Sequence, residues 1–134
     1  LTPVGGALSR MELPFKTGCG VRLWHGRQYM SWISMDDAIS GILYILGNNG
    51  IKGPVNLTAP NPVTNKEFSK TLASIFSKKV FLVLPRFVAL ALWGEMGKET
   101  LLASARVKPE KLLDNGFLFQ HETLSFALKD MLGR

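Results

Sequence analysis

Within eight residues this chain must leave one backbone conformation and enter another. Pro60-Asn61-Pro62 is followed, after Val63, by Thr64-Asn65-Lys66-Glu67. A residue ahead of proline avoids helical angles, so the extended run Gly53 to Ala59 stops there. Thr64 and Glu67 then read as a capping box, each satisfying an orphan amide at a helix start. Phe68, Leu72, Ile75 and Phe76 give that helix its apolar face. A strand stopped this way and a helix started this way predict a mixed α/β chain.

The same alternation runs along the rest of the sequence. Ile39, Ile42, Leu43 and Leu46 fall at i, i+3, i+4 and i+7, which predicts a helix over 36–46. Ser34 or Asp36 can cap its first amides, and Gly47 can take a left-handed position at its end. A shorter helix is expected within Pro3 to Phe15, limited by Gly5-Gly6 and Pro14. Further helices are expected from Pro85 to about Met96, from Pro109 to Asp114 and from Glu122 to Leu132. The 85–96 segment is apolar nearly all round (Phe87, Val88, Leu90, Leu92, Trp93), so it is read as buried or as a docking face for a partner protein. Strands are expected at Arg27 to Ser34, Gly53 to Ala59, Val80 to Leu84 and Ser104 to Val107, and Lys16 to Gly26 reads as a loop. Roughly four short strands against six helices are too few for a full doubly wound sheet.

A length of 134 residues predicts one compact unit. Apolar residues make up 46%, which excludes a disordered tail. The single cysteine, Cys19, excludes an internal disulfide and a cysteine-cluster zinc site, and fits a cytoplasmic, reducing compartment. His25 and His121 give no H-x-x-x-H pair. The apolar run Val80 to Trp93 is broken by Pro85 and Arg86. It is shorter than the stretch of roughly 20 residues that spans a bilayer. No secretory leader is visible, and a chain opening on Leu1-Thr2-Pro3 is expected to be part of a longer or processed polypeptide. The net charge is +6, from 16 basic and 10 acidic residues, but the basic residues are scattered and only Lys78-Lys79 are adjacent. Neither nucleic acid nor a membrane is expected as a partner.

The motifs of nucleotide and nucleophile chemistry are missing. There is no G-x-G-x-x-G, P-loop, H-E-x-x-H, G-x-S-x-G or Tyr-x-x-x-Lys. Gly18-Cys19-Gly20 follows no apolar strand and offers no amide cradle for a pyrophosphate. No cofactor, metal or catalytic residue is therefore expected on this chain. Asp36-Asp37 read as helix caps, Cys19 as a passive thiol, and Trp32 and Trp93 as core.

Taken in order, the segments GGAL (5–8), PFKTGCG (14–20), GRQYMSWIS (26–34) with Asp36-Asp37, GPVNLTAPNPVTNKEF (53–68), WGEM (93–96), LLASARVKPEKLL (101–113) and GF (116–117) carry a resemblance. The chain resembles the C-terminal part of the sugar-nucleotide-epimerase-like proteins of the extended (atypical) short-chain dehydrogenase/reductase superfamily. The resemblance implies the C-terminal, substrate-side lobe of such a protein, without most of the Rossmann sheet. Residues 1–83 would end the NAD(P)-binding, epimerase-like region and residues 84–134 would form a small C-terminal domain packed on it. NAD or NADP would be held by the upstream half of the longer protein, and this chain would be inactive alone. The substrate implied is a nucleotide sugar, with Arg27 on its diphosphate. Asn56 and Asn61 would sit at the carboxyl end of a sheet strand, where ligands bind. Glu95 would pair with Arg106. Where relatives commonly show Ser-Trp-Ile-His this chain has Ser34, and Val21, Trp24 and His25 depart from the relatives' glycine-rich loop. A missing Rossmann half would leave one face of Val55, Leu57 and the 36–46 helix exposed, and an apolar surface of that kind promotes self-association.

Overall fold

In the computed structural model, the described residues are 1–4, 6–18, 20–23, 25–85, 87–88, 91 and 104–133. They form α1 (Gly6–Lys16), β1 (Gly20–Leu23), β2 (Tyr29–Met30), α2 (Met35–Gly47), β3 (Val63–Thr64), α3 (Asn65–Ile75), β4 (Val80–Leu84), α4 (Glu110–Asp114) and α5 (Leu124–Leu132). The mixed α/β order matches the sequence pattern, and no full doubly wound sheet forms among the described residues. Cys19, Trp93, Glu95 and most of the apolar 85–96 stretch lie outside those residues.

The helices follow their signals. Ser34 caps α2, its Oγ accepting the Asp37 N–H, and Thr64 caps α3 in a complete capping box with Glu67. Pro14 lies inside α1 without ending it at Phe15. It stands in the last turn, so the one hydrogen bond it removes, to the Arg10 carbonyl, is near the helix end. The Thr17 N–H bonds across it to the Leu13 carbonyl at 3.2 Å. Gly133 ends α5 in the left-handed region that glycine adopts without penalty.

The strand expected at Val80 to Leu84 is β4, and the others differ from the sequence reading. Lys16 to Gly26 is not all loop, because β1 pairs in parallel with β4. The contact depends on Gly20, where a Cβ would lie 2.3 Å from the Lys79 carbonyl oxygen. A four-residue strand starting on glycine has too little period to read. The strand expected from Arg27 to Ser34 shrinks to β2, paired antiparallel with β3 as Tyr29↔Thr64 and Met30↔Val63. Gly53 to Ala59 is extended but joins no ladder among the described residues. Pro54 removes one donor there and Pro60 ends it, and Ala59 N–H bonds the Trp32 carbonyl at 2.6 Å. Ser104 to Val107 also stays outside a sheet, although Ala105 N–H reaches the Tyr29 carbonyl at 3.1 Å and Val107 N–H the Ser31 hydroxyl at 3.0 Å. Arg106 lies over the Tyr29 ring, 5.0 Å from its centroid, a cation–π contact.

Two apolar clusters hold the elements together. The larger joins Leu8 and Phe15 of α1, Trp32, Phe68 and Leu72 of α3, and Leu124, Ala127 and Leu128 of α5. The smaller is Leu112, Phe117 and Phe119, onto which Val55, Leu57, Tyr44 and Ile45 pack. Phe117 and Phe119 meet edge to face at 4.8 Å between centroids, an arrangement the ring quadrupoles favour. Val55 and Leu57 are half-buried, because α4 and the 117–119 segment pack against them. The apolar face of α2 is open as expected: Ile39 is 52% exposed, Leu43 63% and Leu46 76%. No helix among the described residues is long and apolar enough to cross a membrane.

Candidate functional site

Arg27 and Asn61 stand at opposite ends of the β2–β3 ladder. Extending its register outward, the Asn65 N–H bonds the Gln28 carbonyl and the Lys66 N–H bonds the Gly26 carbonyl, both at 2.9 Å. Arg27 therefore lies beside the first turn of α3. Asn61 lies beside Trp32, whose indole Nε1–H donates to the Asn61 carbonyl at 2.8 Å. Arg27 and Trp32 are five positions apart in nearly extended chain, roughly 16 Å at about 3.3 Å per residue. One ligand touching both must be elongated.

The three sequence candidates differ in how they are held. Arg27 is exposed, and its backbone N–H donates to His25 Nδ1 at 3.0 Å after Gly26 turns the chain through φ +70°. Asn56 is exposed in the unpaired extended segment. Asn61 uses its Nδ2 to donate to the Glu122 carbonyl at 2.9 Å, fastening the start of the last helical segment to the Pro60–Pro62 turn.

A polar network that the sequence reading missed lies where α2 meets the C-terminal segment. Asp37 and Ser34 are both fully buried. Asp37 Oδ1 accepts the Gln120 N–H at 2.7 Å, and its Oδ2 accepts the His121 N–H and the Ser34 hydroxyl, both at 3.0 Å. The His121 ring is buried, with Nδ1 3.0 Å from Ser34 Oγ and Nε2 3.2 Å from Asp130 Oδ2. A buried carboxylate is tolerated only when hydrogen bonds replace its water, and Asp37 has three such donors besides the nearby N-terminus of α2. This network stitches residues 34–37 to residues 120–130. An imidazole does stand beside position 34, but it comes from His121. Of the two caps the sequence offered, Ser34 or Asp36, Ser34 is the one used; no local pattern could reveal a partner 87 positions away.

Asp36, His121 and Asp130 bring three ligand atoms within 4.8 Å of one another, the group among the described residues with the donors for a metal ion. Two of the three are exposed carboxylates, and the imidazole is already hydrogen-bonded on both nitrogens. Among the described side chains, Glu67 is the one whose ionisation is clearly displaced. Its carboxyl is held below the usual glutamate range by the Thr64 N–H at 2.7 Å and then by the Thr64 hydroxyl at 2.8 Å, with burial opposing.

Comparison with known proteins places this geometry. Residues 84–131 match a family described as a domain of unknown function, DUF1731. The chain is 42% identical over 128 residues to an epimerase family protein of Mycobacterium bovis, covering 96% of this chain and 42% of that one. It superposes on human epimerase family protein SDR39U1, solved with NADPH, at a TM-score of 0.91 and 31% identity, over 100% of this chain and 45% of that one. It also superposes on a nucleoside-diphosphate sugar epimerase of Corynebacterium glutamicum at a TM-score of 0.73 and 28% identity, over 99% of this chain and 24% of that one. The chain thus spans less than half the length of the proteins it matches. In sequence and in fold the chain is similar to the C-terminal part of epimerase family proteins, and its fold matches that part of an extended short-chain dehydrogenase/reductase epimerase.

Proposed function

We propose that this chain is the substrate-side portion of an NAD(P)-dependent, nucleoside-diphosphate-sugar epimerase-like protein. It supplies substrate contacts and structural elements and is inactive alone. Residues 1–83 close the nucleotide-binding region, and residues 84–134 form the small domain packed on it. Nicotinamide chemistry, a hydride moved to and from a sugar carbon, belongs to residues upstream in the longer protein. The compartment this reading implies is the cytoplasm.

One observation carries the reading. The apolar side chains of α2 (Met35, Ile39, Ile42, Leu43, Leu46) face solvent, while Asp37 and Gly41 on the other side are buried. A helix turned this way shares its core with another layer, and a Rossmann sheet from the upstream half is the layer that fits. Alone, the same face drives self-association.

Within the assembled protein, Arg27 takes the substrate diphosphate, since an exposed guanidinium beside the β2–β3 ladder can bond two phosphate oxygens at once. Asn56 and the side-chain carbonyl of Asn61 contact the rest of the nucleotide sugar. The test is a chimera in which this chain replaces the matching segment of the Mycobacterium relative. The chimera should bind NADPH and a nucleotide sugar in calorimetric titration, and the 134-residue chain alone should bind neither. In the chimera, Arg27→Ala should weaken the nucleotide sugar tenfold to a hundredfold, matching about 1.5–3 kcal/mol for a charge-assisted contact. Arg27→Lys should recover only part. Unchanged affinity in Arg27→Ala would remove the diphosphate role, and a chimera that binds no nucleotide sugar would remove the substrate class.

A further inference from the structure

Three positively charged side chains converge on one pocket with no carboxylate among its lining residues. The pocket, about 190 Å³, is lined by Arg22 of β1, Lys66 and Lys70 of α3, and Val80 and Val83 of β4. Among the described residues the Lys or Arg side chain paired with a carboxylate is Lys16, with Glu12, so none of the three cations has a counter-charge there. Arg22 Nε is buried with no hydrogen-bond partner. A buried donor left unpaired is costly, and a guanidinium offers its donors in a planar fork.

The backbone brings these charges together. Gly26 adopts φ +70°, and a Cβ there would lie 2.8 Å from Arg22 Cδ and 3.1 Å from Lys66 Cβ. A glycine is what lets the two stems pass at this point. Lys66 sits in the first turn of α3, where the helix end is itself positive and a cation is disfavoured. Lys70 follows at i+4, a like-charge spacing that costs further stability. Glu67 lies between them in sequence, but its carboxylate is occupied by Thr64 in the capping box. One anion in the pocket relieves all of these unfavourable placements.

We propose that Arg22, Lys66 and Lys70 form a binding site for a phosphate-type dianion, taken either as the free ion or as the terminal monoester of a small ligand. At about 190 Å³ the pocket holds the phosphate group and leaves any attached moiety outside. Sites for drug-sized ligands begin at roughly 300 Å³. This site is separate from the diphosphate role given to Arg27 and does not depend on it.

The experiment titrates the 134-residue chain with inorganic phosphate against sodium chloride at matched ionic strength. Melting temperature and calorimetry are the readouts. Phosphate should bind saturably and raise the melting temperature where chloride does not. Arg22→Gln should raise the phosphate Kd at least tenfold and Lys70→Gln about threefold. Lys108→Gln, which removes an exposed charge outside the pocket, should leave it unchanged. Lys70 is exposed, so its variant keeps the test decisive if Arg22→Gln fails to fold. Glucose 1-phosphate binding tighter than inorganic phosphate, with the same Arg22 dependence, identifies a monoester as the ligand; equal or weaker binding identifies the free ion. No saturable binding beyond chloride overturns the proposal. So does an equal loss in Lys108→Gln, which would reduce the effect to net charge. Arg27→Ala should change phosphate affinity less than twofold; a larger loss would merge the two sites and overturn their separation.

Discussion

Helices α2 and α3 begin in the same way and are covered differently. Each is capped by a hydroxyl side chain that accepts the amide three residues on, Ser34 from Asp37 and Thr64 from Glu67. Each carries apolar residues at helical spacing. In α3 those residues, Phe68, Leu72 and Ile75, are the centre of the larger core. In α2 the apolar stripe points outward, and the helix packs inward through Asp37, Gly41, Tyr44 and Ile45. Periodicity reports that a helix has an apolar face; it carries no information about which layer covers it. The cover of α3 is α1 and α5 of this same chain. The cover proposed for α2 belongs to the rest of the longer protein.

The largest effect should come from trimming the same residue type on each helix. Leu72 is fully buried, so Leu72→Ala should lower unfolding stability by about 2–5 kcal/mol. Leu43 is 63% exposed. Leu43→Ala should therefore change the stability of this chain by no more than about 0.5 kcal/mol, as for an ordinary surface substitution. Denaturant unfolding of the two variants measures the contrast. If Leu43→Ala loses more than about 2 kcal/mol, the lower bound for a buried leucine, the α2 face is covered in the isolated chain. Sedimentation of Leu43→Glu adds a second reading: self-association should fall while folding persists.

Gly41 tests the inward side of α2. A Cβ at this position would stand 2.6 Å from Leu57 Cδ1 and 3.7 Å from Phe117 Cζ. Gly41→Ala should therefore cost about 1–3 kcal/mol in overpacking, against about 1 kcal/mol returned by helix propensity. A net gain in melting temperature would show that Leu57 swings away freely and that the smaller core is loosely packed.

What the sequence revealed and what it hid divide along the same physical line. Caps, helix ends and helical faces are encoded within a few residues, so α2, α3, α4 and α5 were legible. Strand pairing is not local. β1 was hidden because Gly20 gives no side chain to the pattern and its partner begins at Val80. Gly53 to Ala59 looked like a strand because Val55 and Leu57 alternate, yet no described strand pairs with it. Arg27 and Asn61 could be named from their segments, but their placement at opposite ends of the β2–β3 ladder needed the fold. The Ser34–Asp37–His121 network and the convergence of Arg22 with Lys66 were invisible because each joins segments with no shared pattern.

The two caps differ in burial, and their removal should differ accordingly. Ser34→Ala removes one of the three donors to the Asp37 carboxyl and the partner of His121 Nδ1, and should cost about 1–3 kcal/mol. Thr64 lies nearer solvent, so Thr64→Ala should cost about 1 kcal/mol, the ordinary loss of an N-cap. Equal losses, measured by chemical unfolding at neutral pH, would show that the link to the C-terminal segment adds nothing to the Ser34 cap.

The smallest expected effect is the pH dependence of the α3 cap. Thr64 holds the Glu67 carboxyl below its ordinary range, first by its backbone N–H and then by its hydroxyl. A group whose folded pKa is depressed adds stability above its unfolded pKa, about 4.3 for glutamate, and loses it as pH falls through the folded value. The contribution should therefore be full at neutral pH and decline from about pH 5 downward. Glu67 is exposed, so solvent screens the interaction. An acidic side chain in a first helical turn is worth about 0.3–1 kcal/mol under those conditions. Glu67→Gln keeps the shape and removes the charge, so its stability curve between about pH 3 and 7 should be flatter than the parent curve by that amount. Thr64→Ala should flatten the same stretch, because it removes the hydroxyl donor and loosens the amide. Parallel curves for parent and Glu67→Gln would show that the capping box holds α3 through its geometry and not through its charge.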